Sequence, residues 1–124
     1  MSKHRILAIG AHPDDIELGL GGTLAKYVEE GKEVYALILS RGEKGVSDDI
    51  TKDKGLKGKI REEETRKALN FLGVKDENIK VLGLPDGGIK PDERIIDEIY
   101  EYIMEIRPDI IFTHFFEDYP QENF

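Results

Sequence analysis

An α/β fold with a mostly parallel sheet covered by helices on both faces is predicted by three features of the 124-residue sequence. Short continuous apolar runs alternate with segments of helical periodicity, and glycine or proline punctuates their ends. "RILAIG" at 5 to 10 is apolar throughout, as a strand buried on both faces requires. Gly21 to Glu30 places Leu24, Ala25 and Val28 on one helical face and stops at Gly31, a C′ glycine. "EVYALILS" at 33 to 40 is the second strand, followed by a polar loop over 41 to 59. "IREEETRKALNFLG" then reads as a helix with Ala68, Phe71 and Leu72 inward and Gly73 closing it. "IKVLGL" at 79 to 84 is the third strand and "PDGG" at 85 to 88 turns the chain. Pro91 and Asp92 start a helix with Ile95, Ile96, Ile99, Ile103 and Ile106 on one stripe. Pro108 ends it, and "DIIFT" at 109 to 113 is the fourth strand.

The length suits one domain with one core, residues 1 to 124. No apolar run approaches the roughly 20 residues needed to span a bilayer, and "MSKHR" leads into a run too short for a secretory signal. A cytoplasmic location is the expectation. A net charge of −8 argues against nucleic acid as a partner, because that affinity comes from clustered Lys and Arg. With no cysteine, a bound metal must be held by histidine and carboxylate, which narrows the imidazole donors to His4, His12 and His114.

In parallel sheets, ligands bind beyond the carboxyl ends of the strands. The residues in those positions are His12, Asp14 and Asp15 after strand one, Arg41 and Glu43 after strand two, Asp86 after strand three and His114 after strand four. A dinucleotide site needs G-x-G-x-x-G in the first turn, and Gly10-Ala11-His12 fails it, with two carboxylates where a phosphate would sit. His12 and one aspartate suit a catalytic zinc, and the other aspartate can take a proton from water. They equally suit the capping of the next helix, and spacing alone does not choose between these readings.

The longer segment "AHPDDIELGLGGT" resembles the opening motif of the zinc-dependent N-acetylglucosaminyl deacetylases, the LmbE-like or PIG-L family, which includes deacetylases of mycothiol and bacillithiol synthesis. The resemblance implies a three-layer Rossmann-like fold, with His12 and Asp15 as zinc ligands and Asp14 as general base. "SRGEKG" at 40 to 45, which contains Glu43, resembles the family segment after strand two. "IREEETRKALNFLGV" resembles the helix whose arginine, here Arg61, reaches the substrate sugar. "LGLPDGG" resembles the segment whose aspartate, here Asp86, binds a sugar hydroxyl. The implied reaction is hydrolysis of an N-acetyl group on an amino sugar, giving acetate and a free amine. Without the resemblance, Arg61 also reads as a solvated helix charge and Asp86 as a turn former.

The chain departs from the family after strand four, where a pattern such as THxxxDxHxDH is expected and "THFFEDYPQENF" stands. Thr113, His114 and Asp118 match. Pro120 replaces the histidine that would act as general acid, Glu122 an aspartate, and Asn123 the third zinc ligand. Three accounts follow: a chain lacking the C-terminal part of the family fold, a site in which His114 supplies the third zinc ligand, or a catalytically impaired module that binds sugar or a protein partner. The apolar "IIFTHFF" makes the last strand a liability at the sheet edge, so self-association is expected through it or through Phe115, Phe116 and Phe124. His4, ahead of strand one, is expected at the wrong end of the sheet and exposed to solvent.

Overall fold

The computed structural model describes residues 4–12, 16, 20–41, 47–84 and 93–113. Its strands are β1 (Arg5–Gly10), β2 (Glu33–Ser40), β3 (Ile79–Leu84) and β4 (Ile110–Thr113). Its helices are α1 (Gly21–Glu29), α2 (Lys54–Phe71) and α3 (Glu93–Ile106), with a 3₁₀ turn at Asp76–Asn78 before β3. The strands form one parallel sheet in the order β3-β2-β1-β4. β1 runs beside β2 from Arg5↔Glu33 to Gly10↔Ile38 and beside β4 from Ile6↔Ile110 to Ile9↔Thr113. The α/β class read from the sequence is thus the observed one.

The uninterrupted apolar character of β1 and β2 follows from their central position. Alternate side chains point to opposite faces of a sheet, and both faces are covered. Ile6, Ala8, Val34, Ala36 and Ile38 pack under α1 and α2 with Leu24, Leu69, Val74 and Ile79. Leu7, Ile9, Leu37 and Leu39 pack under α3 with Tyr102. Each fully buried aliphatic side chain of this size contributes roughly 1.5–3 kcal/mol, so these two layers hold the fold.

α1 and α2 are pressed together at Gly73. This residue has φ +100°, and a Cβ there would lie 2.5 Å from Val28 Cγ1. Glycine is therefore required both by the left-handed backbone and by the close approach of the two helices. Gly31 ends α1 as expected, also at positive φ.

α2 differs from its expected form in two ways. It begins at Lys54, within the segment read as loop, because the Asp53 carboxylate accepts a hydrogen bond from the Leu56 N–H at 3.1 Å and caps the helix. Its inward line is Gly58, Thr65 and Leu69, all buried, with Leu72 half-buried against the same core. Phe71 was expected inward and is instead 90% exposed. It stands two residues beyond the buried Leu69, about 200° around the helix, so both cannot face the sheet.

On α3, Ile95, Ile99, Ile103 and Ile106 are half-buried, and the last three pack on the sheet around the buried Tyr102. Ile96, expected on the same stripe, is exposed together with Tyr100 and Met104. These three are four residues apart and form a second apolar line. Tyr102 faces β3, where the Lys80 ammonium lies 5.1 Å from its ring centre. The exposed line is turned away from that side, toward β4. Ile111, level with Leu7 on the α3 face, is 43% exposed. The Arg5 guanidinium donates to the Ile106 carbonyl at 3.1 Å, a cation on the negative end of α3. His4 is exposed at the amino end of β1, as expected, with Nδ1 3.8 Å from Asp109.

Candidate active site

Because the strands are parallel, their carboxyl ends share one edge, followed by Ala11 and His12, by Arg41 and by the residues after Leu84 and Thr113. The connection holding α1 crosses the face opposite to the one holding α3. The two diverge between β1 and β4, the switch point at which such sheets open a ligand crevice. His12 stands at that point. The Ser40 N–H donates to the Ala11 carbonyl at 3.0 Å, so sheet bonding continues one residue beyond β1 and the chain leaves it at His12. Ile16 is fully buried, and the Leu20 N–H donates to the Ile16 carbonyl at 3.0 Å, ahead of α1. On the neighbouring strand, Thr113 is registered with Ile9.

Of the expected site residues, His12 and Arg61 fall among the described residues, and His12 is half-buried. Asp14, Asp15, Glu43, Asp86 and His114 lie outside them, as do Pro120 and Asn123. Among the described residues no three histidine or carboxylate side chains gather as a metal-binding group.

The Arg61 side chain is only 15% exposed, which sets aside the reading of a solvated helix charge. It lies eleven residues, about three turns, before Leu72 and therefore on the same line of α2. That line touches α1, since Leu72 Cδ1 is 3.5 Å from where a Cβ on Gly21 would lie. Arg61 is thus on the flank of α2 turned toward α1, the helix that follows His12 in the chain. Its carboxylate contact with Glu64 is long, at 4.0 Å.

The opposite flank carries residues that the sequence reading passed over. Glu62 binds Arg41 through Oε1 at 3.2 Å and Arg66 through Oε2 at 3.1 Å. Arg66 in turn donates to Asp76 at 3.1 Å. Burial works against the Arg66 charge, but the bonds to Glu62 and Asp76 outweigh it, and its pKa is raised. The four-residue spacing of Glu62 and Arg66 is the signal that a search for helical ion pairs would have found. A cleft of about 370 Å³ lies beside Arg41, lined also by Gly55, Lys59, Glu62 and Glu63. A second, of about 390 Å³, lies at the amino end of β2 near Glu33 and Tyr35, away from His12.

The fold and this edge define a doubly wound α/β protein with a histidine at the switch point. Residues 7–123 match the profile of the PIG-L family, GlcNAc-PI de-N-acetylase, and the chain belongs to that family. It is 36% identical over 107 residues to the diacetylchitobiose deacetylase of Thermococcus kodakarensis, covering 86% of this chain and 39% of that protein. It is 30% identical over 128 residues to the mycothiol S-conjugate amidase of Streptomyces coelicolor, covering 89% and 44%. Among solved structures, the N,N'-diacetylchitobiose deacetylase of Pyrococcus horikoshii superimposes with a TM-score of 0.79 at 27% identity, covering 86% of this chain and 39% of that one. The chain thus spans about two fifths of the length of these relatives. The 4-carboxy-2-hydroxymuconate hydratase of Pseudomonas putida KT2440 superimposes with a TM-score of 0.76 at 21% identity, a likeness of fold alone.

Proposed function

We propose that the protein is a zinc-dependent deacetylase that hydrolyses the N-acetyl group of an acetylated amino sugar of the N-acetylglucosamine type, releasing acetate and the free amine. The observation that carries this reading is the family match over residues 7–123, together with a motif that leaves β1 at the switch point with His12 at its head. The donor chemistry of His12, Asp15 and His114 suits zinc, since imidazole and carboxylate are its ligands in the absence of cysteine. Zinc bound there would supply a Lewis acid for the acetamide carbonyl and lower the pKa of water toward about 7.

Asp14 takes the proton from the attacking water. Arg61, Asp86 and Glu43 orient the sugar through its hydroxyls. Arg61 suits this role because its charge is screened from solvent on the flank of α2 turned toward α1.

The test is zinc content and affinity of the purified chain, with His12→Ala as the control. Near-stoichiometric zinc that is lost in the variant supports the site; zinc at the level of the control removes it. Asp14→Asn should then keep the metal and abolish turnover of N-acetylglucosamine substrates. Loss of metal in that variant would mean that Asp14 and Asp15 exchange roles. Retained zinc and sugar affinity without turnover in the unaltered chain would favour the second reading, a sugar-binding module, which the replacements at Pro120 and Asn123 suggest.

The same reading includes a cytoplasmic protein that associates with itself. Among the described residues no helix is long and apolar enough to cross a membrane. The surface offered for association is the β4 edge with the exposed Ile111, Ile96, Tyr100 and Met104. Sedimentation at several concentrations tests it, and a single monomeric species throughout would count against it.

A further inference from the structure

Arg41 is the first residue beyond β2, and its side chain runs across the carboxyl edge to reach α2. Two glycines on different elements open that route. A Cβ on Gly58, inside α2, would lie 2.9 Å from Arg41 Cδ and 3.4 Å from Arg41 Cβ. A Cβ on Gly83, at φ +75° in β3, would lie 3.4 Å from Arg41 Nε. Gly83 sits where the pairing of β2 with β3 shifts register, between Ile38 and Ser40. Glycine is among the least favourable residues for a helix interior, so at Gly58 the helix gives up propensity where Arg41 passes.

At the end of that route Arg41 meets Glu62 at 3.2 Å, and the chain of alternating charges continues through Arg66 to Asp76. α2 is therefore tied at one point to the exit of β2 and at another to the turn before β3. Glu62 is next to Arg61, about 100° away around the helix axis. The buried Gly58, Thr65 and Leu69 set the rotation of α2, and holding Glu62 adds a local restraint beside Arg61. Ion pairs this exposed contribute little to global stability, so orientation is the effect to expect.

We infer that Arg41 is a positioning residue, a brace that acts through Glu62 to hold Arg61 in place. The inference rests on the reading above in that Arg61 is taken to bind the sugar. The experiment compares the unaltered chain with Arg41→Ala, Arg41→Lys, Arg61→Ala and the Arg41→Ala/Arg61→Ala double variant. N-acetylglucosamine affinity is measured by NMR titration, and the mobility of the Arg61 Nε–H group by ¹⁵N relaxation. Arg41→Ala should weaken sugar affinity about tenfold while the melting temperature moves by no more than about 4 °C. Arg41→Lys should recover most of the affinity, because the ammonium still meets Glu62. The double variant should bind no more weakly than Arg61→Ala alone, the signature of one residue acting through the other.

Without sugar, the Arg61 Nε–H group should be ordered in the unaltered chain and mobile in Arg41→Ala. Additive losses in the double variant, or an Arg61 signal unchanged by Arg41→Ala, would overturn the brace. If the unaltered chain binds no N-acetylglucosamine, the sugar-site reading fails by itself and the relaxation measurement still decides the role of Arg41.

Discussion

The face of the sheet beneath α1 and α2 buries Ile6, Ala8, Val34, Ala36 and Ile38 against Leu24, Leu69 and Val74, whereas on the α3 side Ile96, Tyr100 and Met104 of the helix and Ile111 of β4 are exposed. Geometry accounts for the difference. Four strands about 4.8 Å apart make a sheet about 14 Å across between its outer strands, and a helix with its side chains is about 10 Å wide. Two helices cover most of that width, leaving Ile110 of β4 37% exposed, and one covers less of it. The less covered part falls at β4, which among the described residues has β1 on one side and no strand on the other. The candidate crevice opens at the same boundary, between the closed half of the sheet and its open edge.

Substitutions can break or sharpen this contrast. Leu69→Ala, in the closed layer, should cost about 3 kcal/mol in urea unfolding, and Ile99→Ala beneath α3 about half as much. Equal costs would mean that the two faces are equally well packed. Gly73→Ala should cost about 2 kcal/mol by the same measurement, because the new methyl meets Val28 and the backbone is left-handed.

The third prediction concerns alkaline pH. Burial, reinforced by the charge of Glu105 and by Tyr35, pushes the Tyr102 phenol up to about 12. In the unfolded chain it ionises near 10, so below that pH the phenol is neutral in both states and its titration has no effect. Above it the unfolded chain loses the proton first, and stability should fall by about 1–2 kcal/mol between pH 10 and 12. Tyr102→Phe should flatten that segment of the stability profile. Smallest in stability is Tyr100→Ser, which should change unfolding by less than about 0.5 kcal/mol. It should nevertheless shift sedimentation toward monomer if the open face is the contact, and an unchanged association would place the contact elsewhere.

How much of this was legible beforehand depends on the kind of signal. β1, β2 and β3 have the bounds read from the sequence, because a strand buried on both faces shows as an unbroken apolar run. The start of α2 was not legible, since "KGLKGK" is polar and glycine-bearing and its helical state is set by the Asp53 cap. Phe71 and Leu69 show the limit of composition: both are large and apolar, and the rotation of the helix alone decides which is buried. At the candidate site, His12 could be placed at the strand end from its position after β1. The burial of Arg61 could not, because it depends on how α2 is rotated in the fold.

The sequence by itself determined the α/β class, the order of elements, the family motif at residues 11 to 23 and the departures at Pro120 and Asn123, because each is written in local composition and spacing. Tertiary structure decided the strand order β3-β2-β1-β4, the difference between the two faces, the outward turn of Phe71 and the passage of Arg41 beside Gly58 and Gly83. The physical reason is that strand neighbours, helix rotation and contacts between distant residues are settled when elements compete to cover the same apolar surface. Local periodicity does not contain the outcome of that competition.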